Sequence, residues 1–224
     1  MNAAVNKFQK MEPDMRPKYG MIIDASKCLN CKACIVSCQL ENNVPPGFTR
    51  AWIKETSQQN DPKLYFQPGN CMHCDKPTCV EACPVNATYK AEDGRVLIDP
   101  SLCIGCGLCI PACPYGARFL HPIRGIADKC DFCHDRLKKG LEPACVLTCP
   151  TRARLFGDFN DASSKISRLL SQGGLVRVIN LKTDTKPNIY YFNNTAPLNW
   201  PKEPELPDTD YLEEIRETNG TDTG

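Results

Sequence analysis

Residues 103–114 read Cys103-Ile104-Gly105-Cys106-Gly107-Leu108-Cys109-Ile110-Pro111-Ala112-Cys113-Pro114. Cysteines at i, i+3 and i+6, a fourth at i+10 and a proline directly after it form a ligand run for [4Fe–4S] clusters. In such a run three thiolates grip one cluster and the fourth reaches its neighbour. A single run is therefore incomplete. It needs a second with which to exchange its fourth ligand, and the chain supplies three more.

Upstream lies Cys71-x2-Cys74-x4-Cys79-x3-Cys83-Pro84, its inner loop widened by Asp75-Lys76-Pro77-Thr78. After Cys83-Pro84 a strand through Thr88-Tyr89, a tight turn at Asp93-Gly94 and a returning strand Val96-Leu97-Ile98-Asp99 lead into Cys103. Strand, turn, strand and cysteine run in this compact order make a ferredoxin half-repeat, so the second and third runs should form one two-cluster module.

The outermost runs are Cys28-x2-Cys31-x2-Cys34-x3-Cys38 and Cys130-x2-Cys133-x11-Cys145-x3-Cys149-Pro150. The first is entered by an apolar strand, Tyr19 to Asp24, but ends Cys38-Gln39 without proline, its last turn from Cys34 to Glu41 reading as helix. The fourth has the Cys-Pro exit and no comparable entering strand. Each supplies the half that the other lacks, so the two should form a second module into which the first is inserted. Ligand exchange then groups the cysteines. Cys28, Cys31, Cys34 and Cys149 hold one cluster and Cys130, Cys133, Cys145 and Cys38 another. In the inserted module the sets are Cys71, Cys74, Cys79 and Cys113, and Cys103, Cys106, Cys109 and Cys83. Pairing of adjacent runs, first with second and third with fourth, is the alternative.

The expected fold class is α+β: two ferredoxin-like 2[4Fe–4S] modules, one inserted in the other, with short strands and helices and an extended C-terminal tail. Residues 1–17 read as an arm, 18–70 and 115–157 as the outer module with a spacer hairpin, and 71–114 as the inserted module. Residues 158–196 carry a C-terminal helix and strands, and 197–224 a proline-rich acidic tail. Ala51 to Lys54 and Lys63 to Phe66 are the hairpin strands, with Ser57 to Pro62 as their loop, and Trp52 reads as core packing or a lid over a cluster. Asp158 or Asp161 should cap a helix bearing Ile166, Leu169 and Leu170 and stopped at Gly173-Gly174. Leu175 to Leu181 and Ile189 to Phe192 read as strands.

Composition narrows the chemistry. Sixteen cysteines inflate a 42% hydrophobic fraction, and 14 glycines with 19 prolines favour turns over long helices, as in a fold wrapped round metal. A disulfide framework fits shorter secreted chains without repeated C-x-x-C grammar. Structural zinc, four ligands to an ion, accounts for paired knuckles but not for thirds at i+6 and fourths at i+10. His73 and His134, each beside a C-x-x-C, read as hydrogen-bonding neighbours of full quartets. The basic residues Arg136, Lys138 and Lys139 read as a solvated loop. Every ligand position is cysteine, so four complete [4Fe–4S] clusters are expected.

The formal charge of +1 becomes about −7 once four clusters of roughly −2 each are included. No basic stripe points to nucleic acid. No iron is left without a thiolate, and no nucleophile with a base, Walker loop or dinucleotide fingerprint is present, so no catalytic residue is expected. No segment approaches the roughly 20 apolar residues of a membrane span, and residues 1–19 contain no recognisable export signal.

The stretches Cys71-Met72-His73-Cys74-Asp75-Lys76-Pro77-Thr78-Cys79, Cys113-Pro114-Tyr115-Gly116-Ala117-Arg118 and Lys129-Cys130 through Cys145, with Glu41 to Gly47 and Lys186 to Tyr191, carry a resemblance. From about Tyr19 to Phe192 the chain resembles the four-cluster subunit of the dimethyl sulfoxide reductase family of molybdopterin oxidoreductases, nearest its polysulfide and thiosulfate reductase branch. The resemblance implies an electron relay between a molybdopterin catalytic subunit, acting on a sulfur compound or oxyanion, and an integral membrane quinone-reactive subunit. It also implies a peripheral site on the periplasmic face of the cytoplasmic membrane, the cytoplasmic face being the alternative. The equivalent subunit of a hydrogenase or formate dehydrogenase complex shares the same cysteine grammar. A zinc-stapled interaction module is the alternative of another class.

Overall fold

The computed structural model describes residues 16–58, 61–178 and 183–192. Strand β1 (Tyr19–Ile23) lies inside a four-stranded sheet completed by β8 (Arg154–Asp158), β9 (Leu175–Arg177) and β10 (Ile189–Phe192), in the order β8-β1-β10-β9. An interior strand covered on both faces reads as an unbroken apolar run, and Gly20 to Ile23 are all buried. β1 pairs antiparallel with β8, from Tyr19 opposite Asp158 to Ile23 opposite Arg154. The strand entering the first cysteine run is therefore bonded to the strand leaving the fourth.

Three two-stranded ladders project between these ends. β2 (Ala51–Gln58) and β3 (Asp61–Asn70) form a hairpin with strands longer than the sequence suggested. Trp52 stands opposite Gly69, and a β-carbon there would lie 2.3 Å from the indole nitrogen, so glycine makes the space for the ring. The indole is half-buried against the main core, in keeping with a packing role. β4 (Thr88–Lys90) pairs with β5 (Val96–Ile98), joining the exit of the second run to the entry of the third. β6 (Phe119–Leu120) pairs with β7 (Ala127–Asp128), linking the third run to the fourth.

The helices are short: α1 (Ala33–Asn42), α2 (Thr78–Glu81), α3 (His134–Lys138), α4 (Ala144–Leu147) and α5 (Lys165–Gln172). Cys34 and Cys38, one turn apart on α1, are both buried. The α5 cap differs from expectation. Ser164 accepts the Ser167 N–H at 3.1 Å, while Asp161 caps the preceding turn through Ser163 and Asp158 accepts the Lys18 and Asn160 N–H groups. Both aspartates lie too early in the chain to reach the first helical turn. β9 ends at Arg177, short of the expected Leu181, and residues 179–182 lie outside the described residues. So do residues 1–15, most of the expected arm, and the tail beyond residue 192.

Cysteine is itself core material. The main buried cluster combines Cys34, Cys71, Cys74, Cys130 and Cys145 with Met21, Met72, Phe132, Ile189 and Tyr191. Asp75 ties three parts of the chain together, accepting from Lys18 at 2.9 Å, Lys90 at 3.1 Å and Asn188 at 2.8 Å. Together the elements are those of a mixed fold of small helices and strands. Among the described residues no helix is long and apolar enough to cross a membrane.

Candidate metal centres

All sixteen cysteines are free of disulfide pairing, so each thiol is available as a ligand. Two small cavities open among them. One is ringed by Cys71, Cys74, Cys79 and Cys113, with Pro114, Tyr115 and Arg118 in its wall. The other is ringed by Cys28, Cys31, Cys34 and Cys149, with Ile53, Pro68 and Arg154. Each takes three thiols from one run and the fourth from the last position of a distant run.

Most of the remaining cysteines fall into two further neighbourhoods. The Asn42 side-chain amide lies 3.6 Å from Cys38 Sγ and 3.8 Å from Cys133 Sγ. Cys130, fully enclosed, feels the charges of Cys38 and Cys145 most strongly of any thiols. Cys103 and Cys109 pack in the second core cluster with Cys79 and Val96. Cys83 is joined to them through its exit turn, where Ala87 O accepts the Asp99 N–H and Asp99 O accepts the Cys103 N–H. Cys106 is exposed.

Local backbone geometry repeats from run to run. The residue two after the first cysteine has positive φ in all four: Asn30, His73, Gly105 and Phe132. Three of these are not glycine, and left-handed backbone there is strain that the surroundings must hold. The third residue after the last cysteine does the same in the three runs that end in Cys-Pro, at Asn86, Gly116 and Arg152. This exit turn aims amides back at sulfur, with Thr88 N 3.4 Å from Cys83 Sγ and Ala153 N 3.3 Å from Cys149 Sγ. In the first run helix α1 continues past Cys38 instead, and Asn42, one turn on, supplies a side-chain donor.

These features fit [4Fe–4S] clusters. A cubane carries one thiolate on each of four irons, and its charge is spread by N–H donors to sulfur. Among the described residues no three Cys, His, Asp or Glu side chains are close enough to share a single ion, as a zinc site requires. Burial, reinforced by neighbouring thiolates, pushes the Cys38 and Cys74 thiols up to about 12 and those of Cys113 and Cys145 to about 11. Such thiols are protonated at neutral pH unless iron takes the proton's place.

The four neighbourhoods follow one another. Cys145 feels the charge of Cys34, linking the group around Cys28 to that around Cys38. Asn70 N–H donation to Cys130 Sγ at 3.6 Å, immediately before Cys71, links the latter to the group around Cys74. Cys79 and Cys109 share a core cluster, leading to the last group. Two cysteines are exposed, Cys31 at the cavity with Cys28, Cys34 and Cys149, and Cys106 in the run that begins at Cys103. Exposed Leu29 and Val36 flank one, Ile104 and Leu108 the other.

Some expectations need sharpening. His73 is fully buried, its Nδ1 accepts from Val96 N at 3.0 Å, and its ring stacks on Phe132 at 3.8 Å. The His134 Nδ1 meets Arg95 Nη1 at 3.0 Å. Neither bonds to cysteine sulfur among the described residues. In the basic loop, Arg136 pairs with Glu41 at 3.0 Å and donates to Glu142 O, so it braces α3 rather than standing in solvent. Sequence reasoning passed over Asn42, Asn70, Arg118 and Arg154. The last two had a visible signal, since Cys-Pro-x-x-Ala recurs at 83–87, 113–117 and 149–153 and is followed by Thr88, Arg118 and Arg154.

Sulfur-lined cavities, amide donors and repeated ligand loops define an iron–sulfur electron carrier with two dicluster units and four [4Fe–4S] clusters. The family description "4Fe-4S dicluster domain" matches residues 62–159 and, in a second form, residues 27–87. The chain is 48% identical over 179 residues to the B subunit of tetrathionate reductase from Archaeoglobus fulgidus, covering 80% of this chain and 84% of that one. It is 41% identical over 185 residues to the B component of polysulfide reductase from Wolinella succinogenes, covering 80% and 96%. With the tetrathionate reductase B subunit of Salmonella typhimurium the identity is 40% over 188 residues, covering 82% and 75%. The protein belongs to this family of iron–sulfur oxidoreductase subunits.

Proposed function

We propose that the chain relays electrons between a molybdopterin catalytic subunit that acts on a sulfur compound or oxyanion and a quinone-reactive membrane subunit. The observation that carries this is the sequence of four thiol groups ending in an exposed cysteine on either side. When bound, the clusters supply one-electron redox chemistry. The chain's own residues hold the thiolates, direct amides at sulfur and exclude water from the central groups, where Cys38, Cys71, Cys74, Cys79, Cys130, Cys133 and Cys145 are all buried.

The ligand sets we assign are Cys28, Cys31, Cys34 and Cys149; Cys38, Cys130, Cys133 and Cys145; Cys71, Cys74, Cys79 and Cys113; and Cys83, Cys103, Cys106 and Cys109. The nested arrangement of modules is supported by the β1–β8 pairing, which brackets everything from residue 24 to 153, and by the β4–β5 ladder inside it. The terminal groups carry the partner-facing ends, where the exposed leucine, valine and isoleucine side chains give apolar contact.

The relatives named as tetrathionate and polysulfide reductase subunits support a sulfur compound as the terminal substrate class. We assign the complex to the periplasmic face of the cytoplasmic membrane, with this chain peripheral through its partner. Affinity purification from the native host should recover a larger molybdenum-containing subunit and a polytopic membrane protein. Recovery of the chain alone under every detergent condition would remove the proposal, and nickel in place of molybdenum would transfer it to a hydrogenase complex.

A further inference from the structure

The Cys-Pro-x-x-Ala turn is followed by threonine once and by arginine twice, and all three side chains are buried: Thr88 at 2% exposure, Arg118 at 5% and Arg154 at 1%. Among the described residues neither arginine is paired with a carboxylate. A buried, unpaired guanidinium is strongly disfavoured, so its counter-charge must come from elsewhere. For Arg118 the neighbouring groups are sulfur. Its Nη2 donates to Cys79 Sγ at 3.1 Å and its Nη1 to Thr88 Oγ1 at 3.1 Å. Its Nε is buried without a partner among the described residues, and the side chain forms part of the wall of the cavity ringed by Cys71, Cys74, Cys79 and Cys113.

Arg154 is placed differently. Its Nη1 donates to Asn70 Oδ1 at 2.8 Å and its Nη2 to Gly69 O at 3.1 Å; it lines the cavity ringed by Cys28, Cys31, Cys34 and Cys149, but its direct sulfur contact is with Met21 Sδ at 3.6 Å and it reaches Cys130 Sγ through the Asn70 amide. Thr88 is neutral, and its backbone N–H serves Cys83. The last group therefore receives no cation from its own exit turn.

We infer that Arg118 is a redox-tuning residue, a fixed positive charge that raises the reduction potential of the site formed by Cys71, Cys74, Cys79 and Cys113 above that of its module partner. This rests on the four-cluster reading. Accepting one electron adds one negative charge to that site, and a cation in direct contact with a ligand sulfur stabilises the reduced state more than the oxidised one. The guanidinium cannot lose a proton in the working range, so the compensation is permanent and the electron moves without one.

The test is a potentiometric titration of the purified complex, followed by electron paramagnetic resonance, in wild type, R118M, R118Q and R118K. In R118M and R118Q the equilibrium constant for reduction of one site should fall at least tenfold, 59 mV per tenfold for a one-electron couple. The site of Cys83, whose exit turn Arg118 touches through Thr88, should move less, and the other two should stay within about twofold. R118K keeps the charge without the fork and should recover most of the shift. Four unmoved midpoints in a neutral variant that retains its full iron and sulfide would overturn the inference. So would an R118K shift equal to that of R118M, which marks a packing role, or an R118Q titration matching wild type, which assigns the effect to donation alone. If R118M does not assemble, the R118Q and R118K pair decides. A wild-type complex with fewer than about four irons per quartet would instead count against the four-cluster reading.

Discussion

Replacing Cys113 by serine separates ligand exchange from local ligation. Cys113 lies in the same run as Cys103, Cys106 and Cys109, yet its side chain rings a cavity with Cys71, Cys74 and Cys79. Burial, followed by the Cys71 charge, pushes its thiol up to about 11. C113S should therefore remove one of four ligands from the Cys71 group and none from the Cys103 group. With four irons to a quartet, failure of that one site takes about 4 of about 16 irons and roughly a quarter of the visible charge-transfer absorbance. Iron and sulfide analysis measures the loss, and paramagnetic resonance identifies the site by comparison with single-site variants. The C113S spectrum should lack the same component as C74S, and C109S the same component as C106S. A C113S spectrum that matches C106S would refute the exchange and return the ligands to their own runs.

Three further outcomes follow from the geometry. G105A should lose a cluster whereas G107A should assemble all four, since both residues have positive φ but a β-carbon at 105 would lie 2.0 Å from Gly125 O, while at 107 the nearest atom is 4.0 Å away; left-handed strain alone costs about 1–2 kcal/mol. R154M leaves Asn70 Oδ1 without its buried donor, at about 1–3 kcal/mol, and should lower the denaturant concentration at which the visible absorbance bleaches. In the cluster-free, reduced protein, the thiols of Cys38, Cys74, Cys113 and Cys145 are raised from 9.0 to about 11 or 12. A raised thiol pKa gives stability that is complete below pH 9 and lost as the pH climbs towards the folded value, about 1.4 kcal/mol per thiol by pH 10; a urea midpoint unchanged between pH 8 and 10 would contradict this.

Much of the site was legible because its grammar is local. Three thiols that must converge on one cubane come from seven consecutive residues, so spacing alone reveals them. The Cys-Pro exit turns are equally local, and Pro84, Pro114 and Pro150 mark them in the sequence. The missing proline after Cys38 signalled a different exit, and helix α1 runs on there to Asn42. The β1, β4, β5 and β10 strands were readable as short apolar runs between turns. Element ends were less so. The α5 cap at Ser164 and the full length of β2 and β3 depend on which neighbour satisfies each backbone group, and that is decided after the chain has packed.

Other features depended on distance in space rather than in sequence. Asn70 meets Cys130 across 60 residues, Arg118 meets Cys79 across 39 and Arg154 meets Asn70 across 84. No local pattern announces such contacts, because a polar residue buried beside sulfur has the same sequence as one in solvent. The amino-acid sequence by itself determined the chemistry: sixteen thiols in four runs, each with its own loop and turn. Only the tertiary structure decided which thiols share a cavity, the burial of Arg118 and Arg154 beside them and the exposure of Cys31 and Cys106. Such contacts need segments far apart in the chain to meet, as β1 and β8 do in pairing across more than 130 residues.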